Sequence, residues 1–120
     1  MQYQTDYIMR LVEQLGSVIR KTVERLGLRQ AEEPVTLASE AIGLALDMDP
    51  ETASELTPQS LVPLLELRGL DRRVVELVHQ AIEIEAVALE DRGEVVAAMF
   101  RREQADALQS LLDRTLAMDS

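Results

Sequence analysis

A chain of 120 residues, 47% of them hydrophobic and 28% charged, is long enough to bury a core of its own and short enough to form one domain over 1–120. It contains no cysteine, which excludes thiolate metal sites, disulfide staples and thiol redox chemistry. Its formal charge of −10 argues against nucleic acid as a partner, because phosphate binding needs cations to displace counterions.

The first predicted element is a long amphipathic helix from Thr5 or Asp6 to Leu26. At about 100° per residue, Ile8, Leu11, Val12, Leu15, Val18, Ile19, Val23 and Leu26 fall within an arc of roughly 140°, with charged and polar residues opposite. Such a stripe must be shielded by the chain or by a partner. Ile8, Leu11, Leu15, Val18 and Ile19 are therefore the candidate interaction surface. Asp6 suits the positive end of the helix dipole, Arg25 and Arg29 suit the negative end, and Gly27 is a stop. Gly16 interrupts the helix and is expected to admit close approach of a neighbour.

Residues 29–34 (RQAEEP) read as a polar connector. A second helix is predicted from Thr36 to Met48, with Leu37, Ala38, Ala41, Ile42, Leu44, Ala45, Leu46 and Met48 on one side and Thr36, Ser39, Glu40, Gly43 and Asp47 on the other. Asp49-Pro50-Glu51 starts a short helix ending near Leu56. Thr57-Pro58 starts the next, which runs to about Arg68, with Pro63 bending or shortening it and Gly69 ending it. Asp71 caps a long helix over Arg72 to Asp91, and a last helix runs from Glu94 to Leu116. Gly93 between them marks the tip of an antiparallel hairpin. The last helix carries two apolar stripes: Val96, Ala97, Phe100, Ala107, Leu108 and Leu111 on one side, and Ala98, Ala105, Leu112 and Leu116 on the other. Such a helix is central or is shared with a partner. The expected fold is an all-α helical bundle with a long N-terminal amphipathic helix and a C-terminal helical hairpin.

Charge is unevenly spread. Residues 1–30 hold five basic and three acidic side chains, residues 31–66 hold eight acidic and none basic, and residues 67–120 hold seven basic and eleven acidic. The asymmetry suggests that the basic first helix lies near the acidic middle; a mixed solvated surface is the plainer reading.

Two stretches resemble known families. Asp6-Tyr7-Ile8-Met9-Arg10-Leu11-Val12-Glu13-Gln14, followed by Leu56-Thr57-Pro58-Gln59-Ser60-Leu61, Leu64-Leu65 and Gly69, resembles a family of small uncharacterised bacterial proteins that open with a D-Y-I-M-R-x-I-E-Q motif. That resemblance implies an all-helical fold and supplies no catalytic residues. The pair of helices around Gly93 is similar to a single tetratricopeptide-type unit, with Ala86, Ala98 and Ala105 at its small positions. The aromatic positions of such a unit are not aromatic here and no second period occurs, so the likeness implies only the geometry of one helix pair.

The residues that could carry chemistry are few. His79 is the only histidine and lies at the edge of its helix's apolar face, so no H-E-x-x-H site can form. Asp47-Met48-Asp49 lacks the glycine and terminal glutamate of an EF-hand loop, and no glycine pattern cradles a phosphate. Glu85 is the anomaly: it falls among Val74, Val78, Ala81, Ile82 and Leu89. A buried carboxylate needs a partner. Glu85 lies as far before Gly93 as Arg101 lies after it, so an antiparallel hairpin predicts a Glu85–Arg101 ion pair. No catalytic residue, metal site or cofactor site is predicted.

The expected function is that of a non-catalytic protein-protein interaction or scaffold protein, forming a homodimer or binding another protein. The alternative is a membrane-surface protein anchored by the first helix, with Tyr3, Tyr7 and Ile8 at the interface. No apolar run approaches the roughly 20 residues that span a bilayer. The N-terminus lacks a basic start followed by an apolar core, so a cytoplasmic location is expected.

Overall fold

Local signals fix most helix ends. Asp49 accepts the Thr52 amide, Thr57 accepts the Ser60 amide, and Asp71 accepts the Arg73 amide; proline follows the first two caps. Asp47, Gly69 and Gly93 take left-handed φ angles of 54°, 59° and 78° and turn the chain out of its helices. The computed structural model describes the backbone of residues 2–27 and 35–119, and the side chains of 5–27 and 35–114. The expected connector over 29–34, including Arg29, and the side chains of Tyr3 and Leu116 lie outside the described residues.

Six helices form an all-α bundle, and no strand occurs among the described residues: α1 Gln2–Gly27, α2 Leu37–Leu46, α3 Pro50–Ser54, α4 Pro58–Leu67, α5 Arg72–Asp91 and α6 Val95–Asp119. Helix α1 begins before Asp6, so its first turn carries no acid. Helix α4 continues past Pro63, whose ring is exposed. Helices α5 and α6 form the antiparallel hairpin: the Arg72 guanidinium donates to the Leu112 carbonyl at one end, Arg101 meets Glu85 further along, and Gly93 closes the other end.

Helix α2 sits centrally, against α1, α3, α4 and α5. That position explains why it is buried nearly all round. Ser39 and Gly43, expected on its outer side, are both buried. A Cβ on Gly43 would meet the Met48 backbone carbonyl at 2.8 Å, so glycine lets the 47–49 turn fold back onto the helix. Gly16 has no such role. Among the described residues its Cβ would find only the Arg20 guanidinium, at 3.8 Å, and no neighbouring helix comes within 4 Å of it.

The α1 stripe is covered by the chain itself. Leu11, Leu15 and Ile19 are core residues, with Ile8, Val12 and Val18 packed partly buried against the same cluster. Of the expected interaction surface Ile8, Leu11, Leu15, Val18 and Ile19, the residues Leu11, Leu15 and Ile19 face the core, where α2 and α5 pack on α1, while Ile8 and Val18 keep partial exposure. Coverage fails at the ends of the rod, where Tyr7, Met9, Val23 and Leu26 are exposed. No helix among the described residues is long and apolar enough to cross a membrane.

Candidate interaction surface

The hairpin register brings Glu85 and Arg101 together. Arg101 Nε donates to Glu85 Oε2 at 2.5 Å, with both side chains buried. Glu85 Oε1 accepts the Ala38 amide at 3.0 Å. Thr36, the N-cap of α2, makes no side-chain capping bond; its hydroxyl donates to Glu40 instead. Glu85 therefore caps α2 from another helix, placing a carboxylate at the positive end of its dipole. Burial pushes the Glu85 carboxyl above its ordinary range, and the nearby Glu40 charge adds to this. Arg101 and the Ala38 amide pull the other way.

Two further residues complete the network. Arg101 donates to Gln104 Oε1 at 2.7 Å and to Ser39 Oγ at 3.4 Å, and Gln104 donates to the Leu56 carbonyl at 2.7 Å. One connected set thus ties α5, α6, α2 and the α3–α4 turn. Sequence reasoning found the charged pair but not Gln104 or Ser39. The signal for Gln104 was its place one turn after Arg101, beside buried Ala105 and Leu108. Ser39 gave no such signal, because its burial comes from the central placement of α2. Among the described residues no buried side-chain polar atom lacks a hydrogen-bond partner. Both Glu85 oxygens are engaged and two surface clefts of the bundle are lined by other residues, so the pair acts as a clamp.

His79 pairs with Glu83 across one turn, at 3.0 Å. Among the described residues no three His, Cys, Asp or Glu side chains are grouped to hold a metal ion. One cleft, of about 450 Å³, lies between α4, α5 and α6, with Leu65, Leu70, Val75 and Leu111 in its wall. Its arginines are already engaged: Arg72 with Glu76 at 2.8 Å and Arg114 with Glu66 at 3.5 Å.

Besides Tyr7, Met9, Val23 and Leu26 on α1, Leu67 on α4 and Val87 on α5, an uncovered apolar patch among the described residues lies on α6. Ala98, Ala105, Leu108 and Leu112 face the core, as does Arg101. The turns that begin the helix carry apolar residues on the opposite side: Val95 is 61% exposed, Val96 83% and Met99 58%. Phe100 beside them is half-buried, with the Arg101 guanidinium 5.5 Å from its ring centroid. Of the two stripes expected on this helix, the Ala98–Ala105–Leu112 stripe is buried in the fold. The stripe beginning at Val96 is open at its N-terminal end and covered at Leu108. Glu103 and Asp106 continue the open side as exposed acids. Comparison of the chain with known protein families, with curated proteins and with solved structures finds no match.

Proposed function

We propose that this protein is a non-catalytic helical interaction protein that pairs with a second copy of itself through the first turns of α6. The observation that carries the reading is the exposure of Val95, Val96 and Met99 on the outer side of a helix whose inner side is well packed. Contiguous exposed apolar side chains mark contact surfaces more often than scattered ones do. Val96 and Met99 lie on one face, one turn apart. Two copies crossing antiparallel about the point between them set Val96 of one against Met99 of the other, and each patch serves both roles. Three large side chains per copy make a small contact, so the dimer belongs to the transient class, below about 1,200 Å² of buried surface. Glu103 and Asp106 extend each patch with negative charge, which opposes pairing at low ionic strength. The Glu85–Arg101 clamp supports the surface from beneath by holding α6 in register on α5. Sedimentation equilibrium on the intact chain, beside a variant with charge placed in the patch, tests the proposal.

A further inference from the structure

A second surface feature is independent of the α6 patch and has a different chemistry. A cleft of about 520 Å³ opens between α1 and the α2–α3 corner. Val18, Leu44 and Met48 give it an apolar floor; Gln14, Glu40 and Asp47 stand at its edge. The backbone builds this shape. Gly43 accepts hydrogen bonds from the Asp47 and Met48 amides, and its missing side chain lets the turn close over it. The left-handed Asp47 then leaves the helix with its carboxylate exposed, while Met48 is half-buried.

The charge on the α2 side of the cleft is acidic, while Arg10, Lys21 and Arg25 share the α1 face of Gln14 and Val18. From α2 through α4 the chain has Glu40, Asp47, Asp49, Glu51, Glu55 and Glu66 and no lysine or arginine. Only Glu66 among these six has an ion-pair partner among the described residues. Helix α1 packs against α2, and among the described residues neither Glu40 nor Asp47 has an ion-pair partner. Lys21, a turn beyond Val18 on α1, opposes the acidic field at one end. Unpaired carboxylates beside an apolar trough are complementary to a segment with the opposite arrangement.

We propose that this cleft docks a basic amphipathic helical segment of another protein, with its apolar side chains on Val18, Leu44 and Met48 and its lysines or arginines at Glu40 and Asp47. The long stem of a lysine suits such an edge, because its methylenes cover apolar surface while its ammonium reaches the acid. The α6 patch takes no part, so this inference stands or falls separately from self-association.

The test uses the intact protein and a labelled amphipathic peptide of leucine and lysine, with a leucine and glutamate peptide of the same pattern as control. Saturable binding is expected for the first peptide only. Amide NMR shifts should concentrate at Gln14, Val18, Leu44 and Met48. Glu40→Gln with Asp47→Asn should weaken binding by about fivefold or more, since two exposed ion pairs are lost. Glutamine still accepts from Thr36, and asparagine tolerates the left-handed turn, so both changes suit the fold. Lys21→Gln should tighten binding by roughly twofold. The charge-matched Glu103→Gln with Asp106→Asn on α6 should change it by less than about twofold. Equal weakening by both acid pairs would show unspecific attraction and overturn the proposal. So would absent saturation, or shifts centred on Val95 to Met99. Concentration-dependent shifts at the cleft without peptide would assign it to a second copy and overturn it too.

Discussion

Glu85 on α5 supplies the cap of α2 by accepting the amide of Ala38, 47 positions earlier in the chain, at 3.0 Å. The same carboxylate takes the Arg101 guanidinium of α6, so one side chain couples three helices. A buried charge left without its partner costs more than the pair contributes, and this asymmetry governs what mutation does here.

Arg101→Ala is expected to destabilise the fold by about 3 kcal/mol, because Glu85 stays enclosed without its cation. Replacing both residues by leucine should cost less than the two single leucine changes added together, since neither charge is then left alone; the lost Ala38 bond sets a residual cost of about 1 kcal/mol. Urea unfolding of the four-protein cycle measures this. Additive costs would show that the two side chains do not interact.

Acid has a definite sign at this site. The folded Glu85 carboxyl titrates above its ordinary value of 4.5, chiefly through burial. The folded state then binds the proton more tightly than the unfolded chain does. The contribution of Glu85 to stability is fully present below pH 4.5 and is lost as pH rises through the folded value. Measured in urea from pH 7 down to pH 4.5, the stability of the wild type relative to Glu85→Gln should therefore increase on acidification. A decrease would mean that the pairing with Arg101 outweighs burial.

Two glycines should respond in opposite directions to alanine. At Gly43 the new methyl would press on the Met48 carbonyl, a backbone atom 2.8 Å away, and Gly43→Ala should cost roughly 1–3 kcal/mol. At Gly16 the only neighbour is the flexible end of Arg20, and Gly16→Ala should add up to about 1 kcal/mol through helix propensity. Thermal unfolding of the two variants separates them. A loss at Gly16 equal to that at Gly43 would reveal a close neighbour where the structure has none.

These glycines mark what was legible in the amino-acid order. Asp49-Pro50, Thr57-Pro58, Asp71, Gly69 and Gly93 act on the backbone within a few residues, so they can be read without knowing the fold. The Glu85–Arg101 pair was legible for a related reason: a short turn at Gly93 fixes the register on both sides of it. Which face of α2 is covered, why Gly43 matters and Gly16 does not, and where α1 outruns its neighbours all depend on helices distant in sequence. The α1 stripe shows the limit most clearly. Its period identified Leu11, Leu15 and Ile19 as residues to be shielded, but not that α2 and α5 would shield them. The open patch on α6 was only half legible: two stripes were visible, and which of them the fold would use was not.

The acids beside the α6 patch give the proposed self-association an ionic-strength dependence. Raising salt from about 0.01 M to 0.15 M shortens the screening length from about 30 Å to about 8 Å, so repulsion between like-charged rims weakens and pairing should strengthen. Light scattering at fixed protein concentration checks the direction. Dissociation by salt would show that ion pairs rather than Val96 and Met99 hold the contact.

The most direct measurement is sedimentation equilibrium of the intact chain over a wide concentration range, beside Val96→Glu with Met99→Glu. The wild type should rise from its 13.4 kDa monomer mass toward twice that value, while the charged variant stays at the monomer mass with unchanged helicity. A wild type that stays monomeric throughout, or a variant that associates equally well, would contradict the assignment of function to the first turns of α6.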